Sequence, residues 1–182
     1  MLAPLVLSML AAGISTPTQA VTLGADLSPD SINFFADTRN QQTQLNYALQ
    51  VLLTEDEGDL FAGKIYSYGP LNAVEGMDGG LGAKIMHVDA DGGSFQALGL
   101  GGFLELAPEA LNGVRFGLEV YYSPSITITD DVDSVVDLSL TASYKAFENA
   151  SVYAGVRDIN VDFGPADDDI DSAVFIGFQL EL

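Results

Sequence analysis

The chain has 182 residues, enough for one domain, with 26 acidic and 6 basic residues and a formal net charge of −20. This balance argues against nucleic-acid binding and against electrostatic docking onto anionic lipid; the absence of cysteine excludes disulfides, thiolate metal sites and thiol catalysis. Because the chain is also 48% hydrophobic with 19 glycines, it is no disordered acidic tail, and its charges are expected to be segregated.

Residues 2–14 form a short apolar run, followed by Thr16-Pro17-Thr18-Gln19-Ala20. Small residues at Thr18 and Ala20 predict signal-peptide cleavage after Ala20, making residues 1–20 a leader and residues 21–182 the mature domain. No Lys or Arg precedes the run, and a buried N-terminal strand or helix is its other reading. No later stretch offers 18 uninterrupted apolar residues, so no transmembrane helix is predicted.

From Val21 onward the pattern has period two, the signature of strands with one apolar face. Val21 to Leu27 is the first predicted strand, Ser28-Pro29-Asp30 a turn and Ser31 to Thr38 the second strand. Leu45 to Leu53, Leu60 to Tyr66 and Leu81 to Met86 follow, separated by the Glu55–Asp59 loop and the Gly69–Asn72 turn. After the Asp89–Gly93 loop come Ala97 to Leu106, the Pro108–Gly113 turn and Val114 to Tyr122. A long loop is predicted from Ser123 to Asp133, then Val136 to Lys145, the Phe147–Asn149 turn and Ser151 to Arg157. Gly164 to Asp171 is the last predicted loop. In the final strand Val174, Ile176, Phe178, Leu180 and Leu182 share one face.

Two regularities follow. Lys64, Lys84, Arg115, Lys145 and Arg157 all fall opposite the main apolar face, with Glu105, Glu119 and Asp137. A closed barrel with its apolar face outward would gather them in a polar lumen. Second, Glu55–Asp59, Asp89–Gly93, Thr129–Asp133 and Asp167–Asp171 are acidic and alternate with connections poor in acids. In an up-and-down barrel every second connection emerges at the same end, so one rim would be acidic. The predicted fold is therefore all-β: an antiparallel up-and-down transmembrane β-barrel of ten strands, or of eight if two short segments are not strands.

The run Arg115-Phe116-Gly117-Leu118-Glu119-Val120-Tyr121-Tyr122-Ser123-Pro124, with the glycine runs at 79–82 and 99–102 and Tyr153-Ala154-Gly155-Val156-Arg157, resembles the YfaZ family of Gram-negative outer-membrane proteins. The resemblance spans nearly the whole mature chain, and Glu-x-Tyr-Tyr-Ser-Pro is its most specific piece. It implies a small barrel in the cell outer membrane, inserted by the barrel-assembly machinery, and implies no enzyme activity. The chain ends in Leu182 where many such proteins end in Phe.

Lys64, Lys84, Arg115, Lys145 and Arg157, with Glu119 and Tyr121, are the candidate lumen residues. They would line a narrow anion path or form a salt-bridged network that plugs the lumen; a barrel this small is little wider than its side chains, which favours the plug. Asp130, Asp131, Asp133, Asp167, Asp168, Asp169 and Asp171 supply oxygens suited to a hard cation such as Ca²⁺ or Mg²⁺, without the EF-hand spacing; solvated loop charge is the plainer reading. Divalent ions bridging these acids to lipopolysaccharide would make outer-membrane lipid a partner. His87, the one imidazole, follows Ile85 on the apolar face and reads as a polar interface residue rather than part of a triad with Ser94 and Asp89. No cofactor is expected. The chain therefore reads as an outer-membrane barrel of structural, adhesive or narrow-pore type with a basic, largely plugged lumen. The alternatives are a secreted soluble barrel that holds an apolar ligand inside and a barrel enzyme acting on lipid.

Overall fold

The structure, a computed structural model, describes residues 19–40, 43–55, 58–72, 74–90, 93–130, 132–163 and 167–182. The predicted leader run of residues 2–14 lies outside the described residues, while the expected cleavage point after Ala20 falls inside the first strand. Ten long strands form the wall: β1 (Gln19–Leu27), β2 (Ser31–Asn40), β3 (Leu45–Thr54), β4 (Asp59–Ser67), β6 (Met77–Ala90), β7 (Gly93–Leu106), β8 (Val114–Pro124), β9 (Ser134–Phe147), β10 (Ala150–Asp162) and β11 (Asp167–Glu181). The two-residue β5 (Gly69–Pro70) adds to β6 beyond the end of β4.

Neighbouring strands pair antiparallel in sequence order, β4 with β6 across the short β5, and β1 pairs with β11 from Thr22↔Glu181 to Leu27↔Ile176, closing the ring. The closing seam runs to the last residue, where the Leu182 N–H donates to the Val21 carbonyl at 2.8 Å. The eight-strand alternative falls because β1 and β2 pair along their lengths, from Gln19↔Asn40 to Leu27↔Ile32.

Strand parity divides the residues between two environments. Leu81, Ile85, Leu98, Leu100, Val174 and Ile176 stand on the outside, with Leu81 76% and Ile176 67% exposed. Lys84, Asp137, Arg157, Tyr66, Tyr121 and Tyr153 are buried inside. A soluble barrel with an apolar ligand would have its cations outward and its apolar faces inward; the described residues are arranged the other way round. Glycines on the inner face make room for luminal rings: a Cβ on Gly24 would collide with the Phe35 ring, and one on Gly155 with Phe175.

Several strands run further than alternation predicts. β2 takes in Arg39 and Asn40, β6 reaches Ala90 and β7 resumes at Gly93, so the expected Asp89–Gly93 loop shrinks to residues 91–92. The predicted Ser123–Asp133 loop begins only after Pro124. Its Thr129 N–H donates to the Gln96 carbonyl at 2.9 Å, and Ile128 bridges to Ala97, so it serves as an extension of the wall beside β7. The last predicted loop, Gly164 to Asp171, is corrected most: β11 begins at Asp167. Ile159 pairs with Asp171 but Asn160 pairs with Asp169, leaving Ile170 as the extra residue of a β-bulge. Both Ile170 and Asp171 are consequently buried. Strict alternation cannot place two consecutive residues on one face.

The lumen is apolar at one end. Leu52, Leu60, Met86, Val88, Ile159 and Val161 pack with Phe95, Val132, Val135 and Ile170 beneath the acidic connections, and Leu52, Leu60, Val88, Ile159 and Val161 are fully buried. At these strand ends apolar residues occupy both faces, as in Leu52-Leu53 and Leu60-Phe61, one of each pair inward and the other outward.

Candidate functional site

Below the apolar cluster the lumen is crossed by a layer of ion pairs. The Lys84 ammonium donates to Asp137 and, at 2.9 Å, to Gln50 Oε1. Arg157 is held between two carboxylates: its Nη1 donates to Asp26 at 3.1 Å and its Nε to Asp171. Asp26 also accepts from the Tyr153 hydroxyl at 2.9 Å and from Asn33 Nδ2 at 2.8 Å. Lys64 donates to both oxygens of Glu119, at 2.8 and 2.9 Å, and the Tyr66 hydroxyl reaches both oxygens of Asp37 at 2.6 Å. Buried charges persist only when paired and hydrogen-bonded, and this layer meets that condition across the barrel.

Beyond the layer, a cavity of about 250 Å³ extends toward the end that carries both Gln19 and Leu182. Near its mouth Glu105 accepts from Arg39 at 3.3 Å and faces Arg115 at 3.6 Å. Among the described residues lining the cavity, six acids stand with five cations. The lumen is therefore not basic as expected: in a −20 chain almost every inward cation meets an inward acid from a neighbouring or facing strand.

Of the sequence-predicted lumen residues, Lys64, Lys84, Arg115, Glu119, Tyr121 and Arg157 line this cavity. Lys145 does not; it lies exposed near the β9–β10 turn, past the end of the lumen. Sequence reasoning missed Asp26, Ser31, Asn33, Asp37 and Arg39. The signal was present, because Ser31, Asn33, Phe35, Asp37 and Arg39 alternate with Ile32, Phe34, Ala36 and Thr38 in one unbroken period-two run.

Among the described residues no group of three or more His, Cys, Asp or Glu side chains is placed to hold a metal. Asp131 lies outside the described residues, as do the side chains of Asp167, Asp168 and Asp169. Asp130 and Asp133 are exposed at the rim. Asp171 is a correction: it faces inward in phase with Ala173 and Phe175, and there Arg157 and the Ser31 hydroxyl, at 3.0 Å, occupy its carboxylate. His87 stands on the outer face in register with Phe61 and Gln96, while Asp89 pairs with Ser94. Its Nδ1 is buried without a hydrogen-bond partner, so no Ser–His pair forms through that atom.

No curated protein matches the chain. The family model described as YfaZ precursor matches residues 2–182. With a closed ten-strand barrel around a charged lumen, and that match over nearly all of its length, the chain belongs to the YfaZ precursor family.

Proposed function

We propose that the protein is a small outer-membrane barrel of structural or adhesive type, sealed at its acidic rim and without enzymatic activity. The observation that carries this reading is the polarity of the wall: large apolar side chains cover the outside while ion pairs fill the inside. Water disfavours such an exterior and hydrocarbon favours it. At about 3.3 Å per residue and a tilt of roughly 40°, the 11-residue β8 climbs about 28 Å, close to the ~25 Å apolar band of such barrels. No helix among the described residues is long and apolar enough to cross a membrane; a closed barrel crosses with strands instead.

Exposed aromatics supply an interfacial girdle, with Tyr47, Phe116, Tyr144 and Phe147 toward the end bearing the termini and Phe34, Phe61 and Tyr122 toward the other. The acidic rim is assigned to the cell exterior, where divalent ions would link it to lipopolysaccharide. Connection lengths do not distinguish the ends, since the connection between β6 and β7 on the acidic side is shorter than 107–113 on the other. The assignment rests instead on both strand termini lying at the opposite end, the side from which an exported chain enters. The word precursor in the family description fits a leader over residues 1–20. The apolar cluster beneath the acidic rim favours a structural or adhesive role over a narrow pore.

Cell fractionation, followed by gel migration of the outer-membrane fraction with and without boiling, tests the reading. Outer-membrane recovery with a heat-dependent mobility shift supports it. Release as a soluble periplasmic protein without a shift overturns it.

A further inference from the structure

We propose that the half of β11 nearest the acidic rim is a docking edge for an extended, lysine- or arginine-bearing segment of another protein, which adds to the wall as one further strand. β1 pairs with β11 only from Thr22↔Glu181 to Leu27↔Ile176. It then turns back at Ser28-Pro29-Asp30, where the Ser28 N–H donates to the Ser31 carbonyl at 2.9 Å. From Phe175 back to Asp167, β11 pairs among the described residues with β10 alone. The ladder fixes which groups are left over. Val21 and Leu182 exchange both backbone hydrogen bonds, and in an antiparallel pair such exchanges recur at every second residue, here through Leu180, Phe178 and Ile176. The same alternation turns the N–H and C=O of Val174 and Ser172 toward the side that β1 has left. Among the described residues no hydrogen-bond partner meets them there.

The chain covers the comparable step elsewhere. β7 runs past its pairing with β8, which ends at Leu100↔Tyr122, and there Ile128 bridges to Ala97 and the Thr129 N–H donates to the Gln96 carbonyl. No such segment lies along β11 among the described residues. An unpaired edge is a template for another strand. This one stands clear of the apolar band, because Ser172 faces outward beside Asp158 of β10. Val174, one step nearer the membrane, is 70% exposed. Charge selects the partner. Asp158 flanks the edge and Asp30 is exposed on the turn at its foot, so an added strand runs between carboxylates of a −20 chain. Lysine or arginine at alternate positions meets them. A second copy fits poorly. It repeats the same acids, and at a tilt of roughly 40° an axis along the membrane normal crosses two β11 strands at about 80° instead of pairing them. That the edge faces the cell exterior rests on the orientation proposed above; strand addition itself does not.

The test is fluorescence anisotropy on the full chain, folded in nonionic detergent, with a labelled peptide that alternates lysine and valine. The peptide should bind saturably. Methylating every backbone amide of the peptide should weaken binding about tenfold or more, and glutamate in place of lysine should abolish it. V174P removes an N–H that no ladder bond uses and sets the proline ring against the edge. It should weaken binding about tenfold while β10 pairing, and with it the heat-dependent gel mobility shift, is kept; S172P carries the same expectation and replaces it if V174P loses the shift. Hydrogen exchange reads the edge directly. The Ser172 and Val174 amides should exchange fast in the free protein and about tenfold slower with peptide bound, whereas the Ile176 amide is protected in both. Protection of Ser172 and Val174 equal to that of Ile176 in the free protein overturns the proposal, as does the absence of saturable binding. Binding that survives amide methylation or the proline variants, or a glutamate peptide that binds as well as the lysine one, also overturns it. Protection that rises with protein concentration assigns the edge to a second copy and overturns the peptide partner. Retained peptide binding by a wild type that shows no mobility shift supports the edge and counts against the membrane barrel.

Discussion

Lys84 and Asp137 illustrate how charge is handled inside this barrel: each is buried, and each is the other's counter-ion. Removing one member leaves the other buried and uncompensated, a loss of about 3–5 kcal/mol. Lys84→Met is therefore expected to lower the urea midpoint of the folded barrel sharply. The double variant Lys84→Met with Asp137→Leu should recover much of that loss, since a buried pair replaced by apolar groups is often nearly neutral. Additive losses in the double variant would show that the pair is not coupled. Gly24 makes a different demand, for space. Gly24→Ala pushes a Cβ into the Phe35 ring from the facing position on β2 and should cost about 1–3 kcal/mol. Phe35→Leu alongside it should restore part of the stability, read from the temperature at which the gel mobility shift is lost.

At the scale of elements, β11 carries both environments on one strand. Val174, Ile176 and Phe178 point outward, while Phe175 is buried within. Lysine on the outward face at mid-strand should cost about 2–4 kcal/mol in a membrane barrel and nearly nothing in a soluble one. Ile176→Lys is expected to reduce folding into lipid vesicles markedly, whereas Ser143→Lys, facing the cavity near its mouth, should fold almost as wild type. Equal folding yields for the two variants would contradict an outward membrane face. The period of β11 was legible in the sequence from Val174 onward, because regular alternation and regular pleating are the same fact. Its first half was not. The bulge at Ile170 adds one residue without changing composition, and only pairing with β10 reveals it.

At the scale of the molecule, the lumen has a closed end and an open end. Among the described residues a packed apolar cluster crosses the lumen beneath the acidic rim, and ions do not cross a packed apolar layer. Wild-type protein in planar bilayers is expected to be electrically silent. Leu60→Ser combined with Met86→Ser, which hydrates the cluster from β4 and β6, should produce conductance steps, provided that the variant retains its mobility shift. Frequent openings in wild type would show that the seal is not permanent and would favour a pore.

The sequence by itself favoured ten strands over eight and determined the face of nearly every strand residue and the clustering of acidic connections, because each depends on local period and turn chemistry. It placed Lys64, Lys84, Arg115 and Arg157 on the luminal face for the same reason. It did not determine which acid meets which cation: Lys64 and Glu119, or Arg157 and Asp26, are joined only by barrel closure, across 55 and 131 residues of chain. The seal has the same origin. Leu52, Met86 and Val161 are unremarkable alone and form a plug only where strands from opposite sides of the ring bring them together. Local alternation decides which side of the wall a residue takes, and closure decides whom it meets there.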